Sequence, residues 1–220
     1  KVAARQCEKV VLCVGLPERY ESEGFDRGSL KLPEGHLRLI NAVTEENANT
    51  IVILMSGGVV ECPWAGKVKG ILYAGLSGQA GAQAIANILY GKVNPSGKLA
   101  ESWPINYEDC ATAAFYGKEK DAIYREGIYV GYRYYDKIQL PVRWCFGYGL
   151  SYTTFAYSNL KIQEPEPSEQ IRQLQKNNQI EKIKRLQKDI GKQTKDLKEE
   201  YVVSCDITNT GALPGKEIVQ

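Results

Sequence analysis

Two short apolar runs, each followed by glycine, constrain the fold of this chain most strongly. They occupy residues 9–15 and 50–55, and Gly57 begins the turn after the second run. Continuous apolar runs of this length are typical of strands that are buried on both faces of a parallel sheet. A third run at 68–76 has the same character. We therefore expect three such strands, with Cys13 in the core of the first.

Helical patterns alternate with these strands. Pro33 can open a helix that extends through residue 46. A second helix is expected at 79–90, with an inward-facing apolar side made of Ala80, Ala84, Ile85, Ile88 and Leu89. The alternation predicts an α/β fold whose doubly wound, mostly parallel sheet has helices on both faces.

Composition and charge narrow the possible partners. The 220 residues are 43% hydrophobic and 25% charged, as in a globular protein. A net charge of +2 is too small to indicate nucleic acid, and no apolar run approaches the ~20 residues that span a membrane. No signal peptide is visible, and a helix-like start and strand-like end lead us to expect truncation at both ends.

The cysteines give no sign of a metal site. The six cysteines have no CxxC spacing, which disfavours zinc, and we expect neither a metal nor a cofactor. Free, buried thiols are the simplest interpretation, and they favour a reducing compartment such as the cytoplasm. Secretion stays an alternative because we expect the N-terminus to be missing.

The second half of the chain shows less helical periodicity and a higher density of aromatic residues. Aromatic residues cluster at 124–135 and 144–157, which we interpret as edge strands and long loops that wrap the sheet, with most rings packed. We divide the chain into three parts. Residues 1–162 form an α/β domain, and residues 163–200 form a linker with a long polar helix or helical hairpin. Residues 201–220 form a truncated β-sandwich hairpin whose strands are 201–208 and 217–220.

Residues 20–35 form the loop with the most chemistry. The loop follows the first strand and holds four carboxylates, one arginine and two aromatic rings. Open α/β sheets bind ligands at the carboxyl ends of parallel strands. A glutamate held there, partly screened from water, is a candidate proton donor. The alternative is an ordinary solvated carboxylate.

Several segments in this order resemble one enzyme family. They are VGLP at 14–17, ESEGFDR at 21–27 with LP at 32–33, GQAG at 78–81, GKVNPSGKL at 91–99, YREGIYVGYRYY at 124–135 and FGYGLSYTTF at 146–155. Together they resemble the second domain of glycoside hydrolase family 3, of the β-glucosidase type, over about residues 1–160. Residues 201–220 separately resemble the start of a fibronectin-III-like domain.

The resemblance implies a retaining hydrolase of terminal β-linked glucosyl or related residues. The nucleophilic aspartate would lie on a (β/α)8 barrel of the same protein, which this chain lacks, so the chain alone is expected to be inactive. The glutamate before the glycine, Glu23, matches the acid/base, and Glu21 is the second choice. The implied partners are a β-glucoside or oligosaccharide and the barrel.

Other candidate residues have a structural and a functional interpretation. Asp26 and Arg27 either position the loop as a bidentate pair, which we favour, or contact sugar hydroxyls. Trp144 and Tyr148 are candidates for stacking on a sugar, whereas packing is the simpler role for most rings. His36, the one histidine, is expected to decorate the surface.

Two other functions stay open. A non-catalytic carbohydrate-binding or scaffold module would explain the missing barrel, and the polar helix at 168–200 is either a solvated arm or a means of forming homo-oligomers. A nucleotide-binding domain is disfavoured because the glycines at 78–81 lack the fuller phosphate-binding fingerprint.

Overall fold

A computed structural model of the chain describes residues 1–163, 176, 182 and 201–219. The described residues form two compact units. The first contains Lys1–Tyr152 and the residues from Gly215 onward, and the second contains the described residues between Thr153 and Pro214. The helix or helical hairpin expected within 163–200 lies outside the described residues, apart from single positions.

The first unit is built on a three-stranded parallel sheet. Strands β1 (Val10–Gly15), β2 (Thr50–Met55) and β3 (Gly70–Tyr73) lie in the order β1-β2-β3. In the register, Val14 lies opposite Leu54, which lies opposite Tyr73. The predicted parallel α/β sheet is confirmed. Within the described residues the strand order does not reverse, so double winding stays a prediction.

One face of this sheet carries the core. Leu12, Val14, Val52 and Leu54 pack there with Ile40 of helix α2 (Glu34–Thr44), which is fully buried. The apolar stripe of α2 explains this, because Ile40 and Val43 recur on one side of the helix. Helix α1 (Val2–Gln6) is joined to the chain just beyond α2 by an ion pair between Arg5 and Glu46. Because α2 is packed against the sheet through Ile40, it holds the end of the loop that joins β1 to α2.

The other face of β1 is open, which corrects the sequence-based expectation. Val11 is 51% exposed and Cys13 is also exposed, so β1 is buried on one face only. The cause is that no described element covers this side of the edge strand. Among the six cysteines, all of which are described, only Cys62 is buried and none forms a disulfide.

The third strand and the second predicted helix are shorter than expected. Strand β3 is followed by turns at Gly75 and Gly78, both with positive φ, before helix α3 (Gly81–Leu89). Ala80 and Ala84, expected to face inward, are exposed. Ile85, Ile88 and Leu89 are half-buried, so the apolar side of α3 is only partly covered.

The aromatic region differs most from the sequence interpretation. The cluster at 124–135 is a turn-rich segment followed by helix α4 (Tyr132–Ile138), not an edge strand. Gly127 and Gly131 have positive φ, which interrupts an extended chain. Most of these rings are exposed, Tyr124 by 91%. Only the short strands β4 (Trp103–Pro104) and β5 (Val142–Trp144) pair, antiparallel, in this part of the first unit.

The second unit contains one antiparallel pair. Strand β6 (Phe155–Gln163) pairs with β7 (Val202–Asn209). The predicted hairpin between 201–208 and 217–220 is therefore wrong: β7 forms as expected, but its partner precedes it in the chain, and 217–219 carry no strand. The sequence interpretation missed β6 because it assigned this aromatic stretch to the α/β domain.

Candidate active site

The loop between β1 and α2 leaves the sheet at the carboxyl end of the strands, as the sequence predicts. The Leu16 N–H donates to the Met55 carbonyl, at 2.9 Å, so the chain stays beside β2 as it leaves β1. The Glu21 N–H then donates to the Pro17 carbonyl at 3.3 Å, which turns the chain back. This places the predicted proton-donor loop beside the segment that follows β2.

Glu23 lies at the tip of a tight turn. Ser22 and Phe25 form an isolated antiparallel bridge, and Glu23 and Gly24 lie between them. Glu23 is exposed, and its carboxylate has no hydrogen-bond or ion-pair partner among the described residues. The expectation that this side chain is partly screened from water is therefore not met within this chain. Its carboxylate is free to meet a ligand or another domain.

Glu21 has a different environment, although it is only two residues away. Its side chain is half-buried, and its Oε1 accepts a hydrogen bond from the Gly57 N–H at 2.6 Å. Its Oε2 is buried without a hydrogen-bond partner among the described residues. Glu21 is thus bound to the backbone that follows β2, whereas Glu23 makes no such contact.

Arg27 is the positive charge of this cluster. Its Nη1 donates to the Val59 carbonyl at 2.9 Å, and its Nη2 is buried without a partner in the described part of the chain. Burial lowers the pKa of Arg27, and the negative charges of Glu21 and Glu101 oppose that effect. An arginine with nearby carboxylates stays charged.

The predicted pair between Asp26 and Arg27 does not form. Asp26 instead accepts a hydrogen bond from the Tyr116 hydroxyl, which raises the pKa of Tyr116. Arg27 is turned to the Val59 carbonyl. The two adjacent side chains therefore hold the loop to different segments rather than to each other.

Glu101 could not be found from the sequence. Partial burial raises the pKa of Glu101, and the charge of Arg27 opposes the rise. The pKa of Tyr73, at the end of β3, is raised by burial and then by the charges of Glu101 and Glu21. Glu101 is far from the loop in sequence and belongs to no acidic motif, so only the fold brings it to this cluster.

A shallow groove runs along the same loop. Its volume is about 360 Å³, and Tyr20, Phe25, Asp26 and Arg27 contribute to its lining. This volume is near the lower end of the range for small-molecule sites. Glu23 is not among the lining residues. The groove alone thus presents aromatic and charged groups without the candidate acid.

The predicted aromatic candidates lie in a ladder of rings. Trp103 contacts Tyr73 at 5.2 Å and Trp144 at 5.4 Å between ring centroids, and Trp144 stacks on Tyr148 at 6.4 Å. Trp144 is half-buried against the core, whereas Tyr148 is 39% exposed. The ladder ends at Tyr73, which links it electrostatically to Glu21 and Glu101.

His36 is a structural residue rather than the expected surface decoration. It is half-buried, and its Nδ1 lies 2.9 Å from the carbonyl oxygen of Gly15. This contact joins the start of α2 to the end of β1 and so closes the base of the loop.

Neither a metal centre nor a membrane-spanning helix is found in the part of the chain that the structure describes. Within the described ranges, no group of three or more His, Cys, Asp or Glu side chains could hold a metal ion. None of the helices that the structure describes combines the length and the apolar character that crossing a bilayer would require.

Comparison with known proteins identifies relatives over the whole chain. The Glycosyl hydrolase family 3 C-terminal domain matches residues 1–132. Thermostable beta-glucosidase B of Acetivibrio thermocellus is 40% identical over 221 residues, which is 100% of this chain and 26% of that protein. Probable beta-glucosidase J of Neosartorya fischeri is 39% identical over 99% of this chain and 22% of that protein.

Solved structures agree with these relatives. The crystal structure of the GH3 beta-glucosidase of Bifidobacterium adolescentis matches with 45% identity and a TM-score of 0.70, over 74% of this chain and 24% of that one. The beta-glucosidase of Kluyveromyces marxianus, in complex with glucose, matches with 41% identity and a TM-score of 0.70, over 74% and 20% of the two chains. This chain thus spans about a quarter of the length of the curated relatives.

Proposed function

This chain belongs to glycosyl hydrolase family 3, and from that premise we propose that it supplies the acid/base carboxyl, Glu23, of a retaining hydrolase. The proposed substrates are terminal β-linked glucosyl, or related glycosyl, residues. The nucleophile is an aspartate on a barrel domain of the same protein. No cofactor is needed, because paired carboxylates suffice for this chemistry.

The proposed reaction has two steps. In the first, the aspartate attacks the anomeric carbon while Glu23 protonates the departing glycosidic oxygen. In the second, the deprotonated Glu23 takes a proton from water as that water hydrolyses the glycosyl-enzyme bond. Retention requires the two carboxyl groups to be about 5 Å apart. A barrel that covers Glu23 would remove water from its carboxyl, and desolvation favours the protonated form.

The single observation that carries the assignment is the contrast between the two loop glutamates. Glu23 is exposed on a tight turn with no partner among the described residues, whereas Glu21 accepts from the Gly57 amide. A general acid needs a carboxyl that can reach the leaving oxygen. The accessibility of Glu23, and the hydrogen bond that holds Glu21 to the Gly57 amide, support Glu23 over Glu21 in this role.

The remaining candidates receive supporting roles. Asp26 and Arg27 position the loop through Tyr116 and the Val59 carbonyl. Tyr148, the more exposed ring of the aromatic ladder, is the better candidate for sugar stacking, and Trp144 supports it from the core. Residues 201–219 with β6 contribute the first strands of a fibronectin-III-like domain. The proposed location of the protein is the cytoplasm.

The test compares two substrates in the full-length protein that contains this chain. Glu23→Gln is expected to lower kcat/KM on cellobiose by on the order of 100- to 10,000-fold, because an alcohol leaving group needs the proton. An aryl glucoside with a good leaving group should lose much less in the glycosylation step. Glu18→Gln, at an exposed position of the same loop, is the matched control and should match the wild type. Equal, unchanged activity of Glu23→Gln on both substrates would show that the assignment is wrong.

A further inference from the structure

We infer that Glu21 is a positioning residue, and that together with Arg27 it clamps the turn carrying Glu23 to the backbone that follows β2. The inference rests on the proposed function, because it explains how the Glu23 carboxyl is held in place. It also changes the role of Glu21, which the sequence left as the second choice of proton donor.

The clamp grips the turn on both sides. Before the turn, the Glu21 carboxylate accepts from the Gly57 N–H at 2.6 Å. After it, the Arg27 guanidinium donates to the Val59 carbonyl at 2.9 Å. Between these contacts, the bridge from Ser22 to Phe25 closes the turn itself. Both flanks are therefore fixed to backbone groups that lie two residues apart in one short segment.

The segment that receives these contacts is firmly held. The Ser56 side chain is 1% exposed, and its hydroxyl donates to the Gly58 carbonyl at 2.8 Å. Val60 belongs to the core, and the next amide, of Glu61, donates to the Leu30 carbonyl at 2.8 Å. Because this segment is held by the core, contacts with it fix the position of the turn at 22–25.

Charge makes the two contacts depend on each other. Each side chain has a second polar atom, Glu21 Oε2 and Arg27 Nη2, that is buried without a hydrogen-bond partner among the described residues. Burial lowers the pKa of Arg27, and the negative charge of Glu21 is the largest influence that raises it again. Removing either side chain leaves the other with less compensation for a buried charge, which is costly.

Gly57 has a specific place in this arrangement. A Cβ atom at Gly57 would lie 2.1 Å from Glu21 Oε1, so a side chain there must expel the carboxylate. At the adjacent Gly58, the nearest atom to an added methyl group would be Arg27 Nη1 at 3.7 Å, which is ordinary contact. Neither glycine has a positive φ, so alanine strains neither backbone. The pair therefore provides a test and its matched control.

The first experiment separates positioning from proton donation in the full-length protein. Glu21→Ala should lower kcat/KM on cellobiose by on the order of 10- to 100-fold, as displacement of a catalytic group does. Glu21→Gln keeps an oxygen that can accept from the Gly57 N–H but loses the charge that compensates Arg27, so it should restore part of the loss. If Glu21 were the proton donor, Gln would be as inactive as Ala, and that result would overturn the inference. Glu18→Ala is the control for loss of a loop carboxylate.

The second experiment asks whether Glu21 acts through Glu23. In a Glu23→Gln background, Glu21→Ala should add little further loss, because residues that act as a unit are not additive. Multiplicative losses would contradict the inference. If Glu23→Gln itself is silent, the proposed function fails instead, and the two failures are thus distinguishable.

The third experiment needs no activity. In the 220-residue chain, Gly57→Ala should increase hydrogen exchange of the amides at 22–26 while exchange in β1 and β2 stays unchanged. Gly58→Ala should exchange like the wild type throughout. Unchanged exchange at 22–26 in Gly57→Ala would show that the clamp does not hold the turn. If Gly57→Ala fails to fold, Glu21→Ala supplies the same comparison.

Discussion

At the scale of single residues, the surroundings of a side chain, rather than its type, distinguish the two glutamates of the loop between β1 and α2. Glu21 and Glu23 have the same side chain, yet one accepts from a backbone amide and the other is exposed. Burial lowers the pKa of Arg27, and the negative charge of Glu21 opposes that effect. Two carboxylates in unlike surroundings can serve one site in different ways. Under the proposed function, this difference lets the loop be held in place by Glu21 while the carboxyl of Glu23 stays accessible.

Cys62 gives a prediction for alkaline pH. Its side chain is 2% exposed, and burial raises its pKa from 9.0 to about 12. The unfolded thiol ionises first, so the stability associated with the protonated thiol is complete below pH 9 and is lost as the pH rises toward 12. Between pH 8 and pH 10, the free energy of unfolding of the wild type should fall by about 1 kcal/mol more than that of Cys62→Ala. Urea unfolding at both pH values measures this difference.

Thiol labelling provides the control for this prediction. Cys7, Cys13 and Cys145 are exposed and should react with iodoacetamide in the folded chain. Cys62 should react only in denaturant, as mass spectrometry of labelled peptides would show. Modification of Cys62 in the folded chain, or equal pH dependence of the two proteins, would mean that the thiol is not held in the core.

Single residues also show which features of the candidate active site could be predicted from the sequence. The motif at 21–27 located the loop, and the structure places it at the carboxyl edge of the sheet. The partners of that loop were not predictable, because Gly57, Val59 and Glu101 reach it only through the strand order. The Asp26–Arg27 pair was wrong for the same reason, since adjacent residues need not face each other.

At the scale of elements, the close approach of β1 and β2 gives a prediction about glycine. A Cβ atom at Gly15 would lie 1.9 Å from the Met55 carbonyl oxygen, and that oxygen already accepts from the Leu16 N–H. Gly15→Ala should therefore destabilise the chain by about 1–3 kcal/mol, the usual cost of overpacking. Chemical denaturation measures the change.

Gly70, at the start of β3, is the matched control. A Cβ atom there meets nothing within 4 Å, and its φ is not positive. Gly70→Ala should be neutral or stabilise by up to about 1 kcal/mol, because alanine restricts the unfolded chain. Equal stabilities of the two variants would show that the strand ends do not approach as described.

Elements were predictable where one local pattern decides the outcome. Strands β1 and β2 and helix α2 lie close to their predicted bounds, because apolar runs and a 3.6-residue stripe are local signals. Helix α4 was missed because its aromatic residues are typical of strands, and β6 was missed because its partner β7 is distant in sequence. The exposure of Val11 was not predictable, because no local pattern states which face is covered.

At the scale of the whole molecule, the proposed mechanism depends on how much of its relatives' length this chain spans. It spans 26% of its relative from Acetivibrio thermocellus and 22% of that from Neosartorya fischeri. The proposed mechanism needs two carboxyl groups about 5 Å apart, one of them on the barrel. Glu23 is exposed and has no hydrogen-bond or ion-pair partner among the described residues, so its carboxylate is available to a second domain. The described residues therefore present one half of the proposed catalytic pair.

The isolated chain should accordingly neither bind nor hydrolyse its substrate. Calorimetric titration with glucose should give no saturable heat, and an activated aryl glucoside should be hydrolysed no faster than in buffer, because the proposed nucleophile lies on the barrel. A longer protein that joins the barrel to this chain should do both, and Glu23→Gln in that protein should retain glucose binding. Saturable binding by the isolated chain would instead favour the carbohydrate-binding module. In that case Tyr148→Ala should abolish the binding, because Tyr148 is the exposed ring of the aromatic ladder, whereas Cys145→Ala, at a nearby exposed position, should leave it intact.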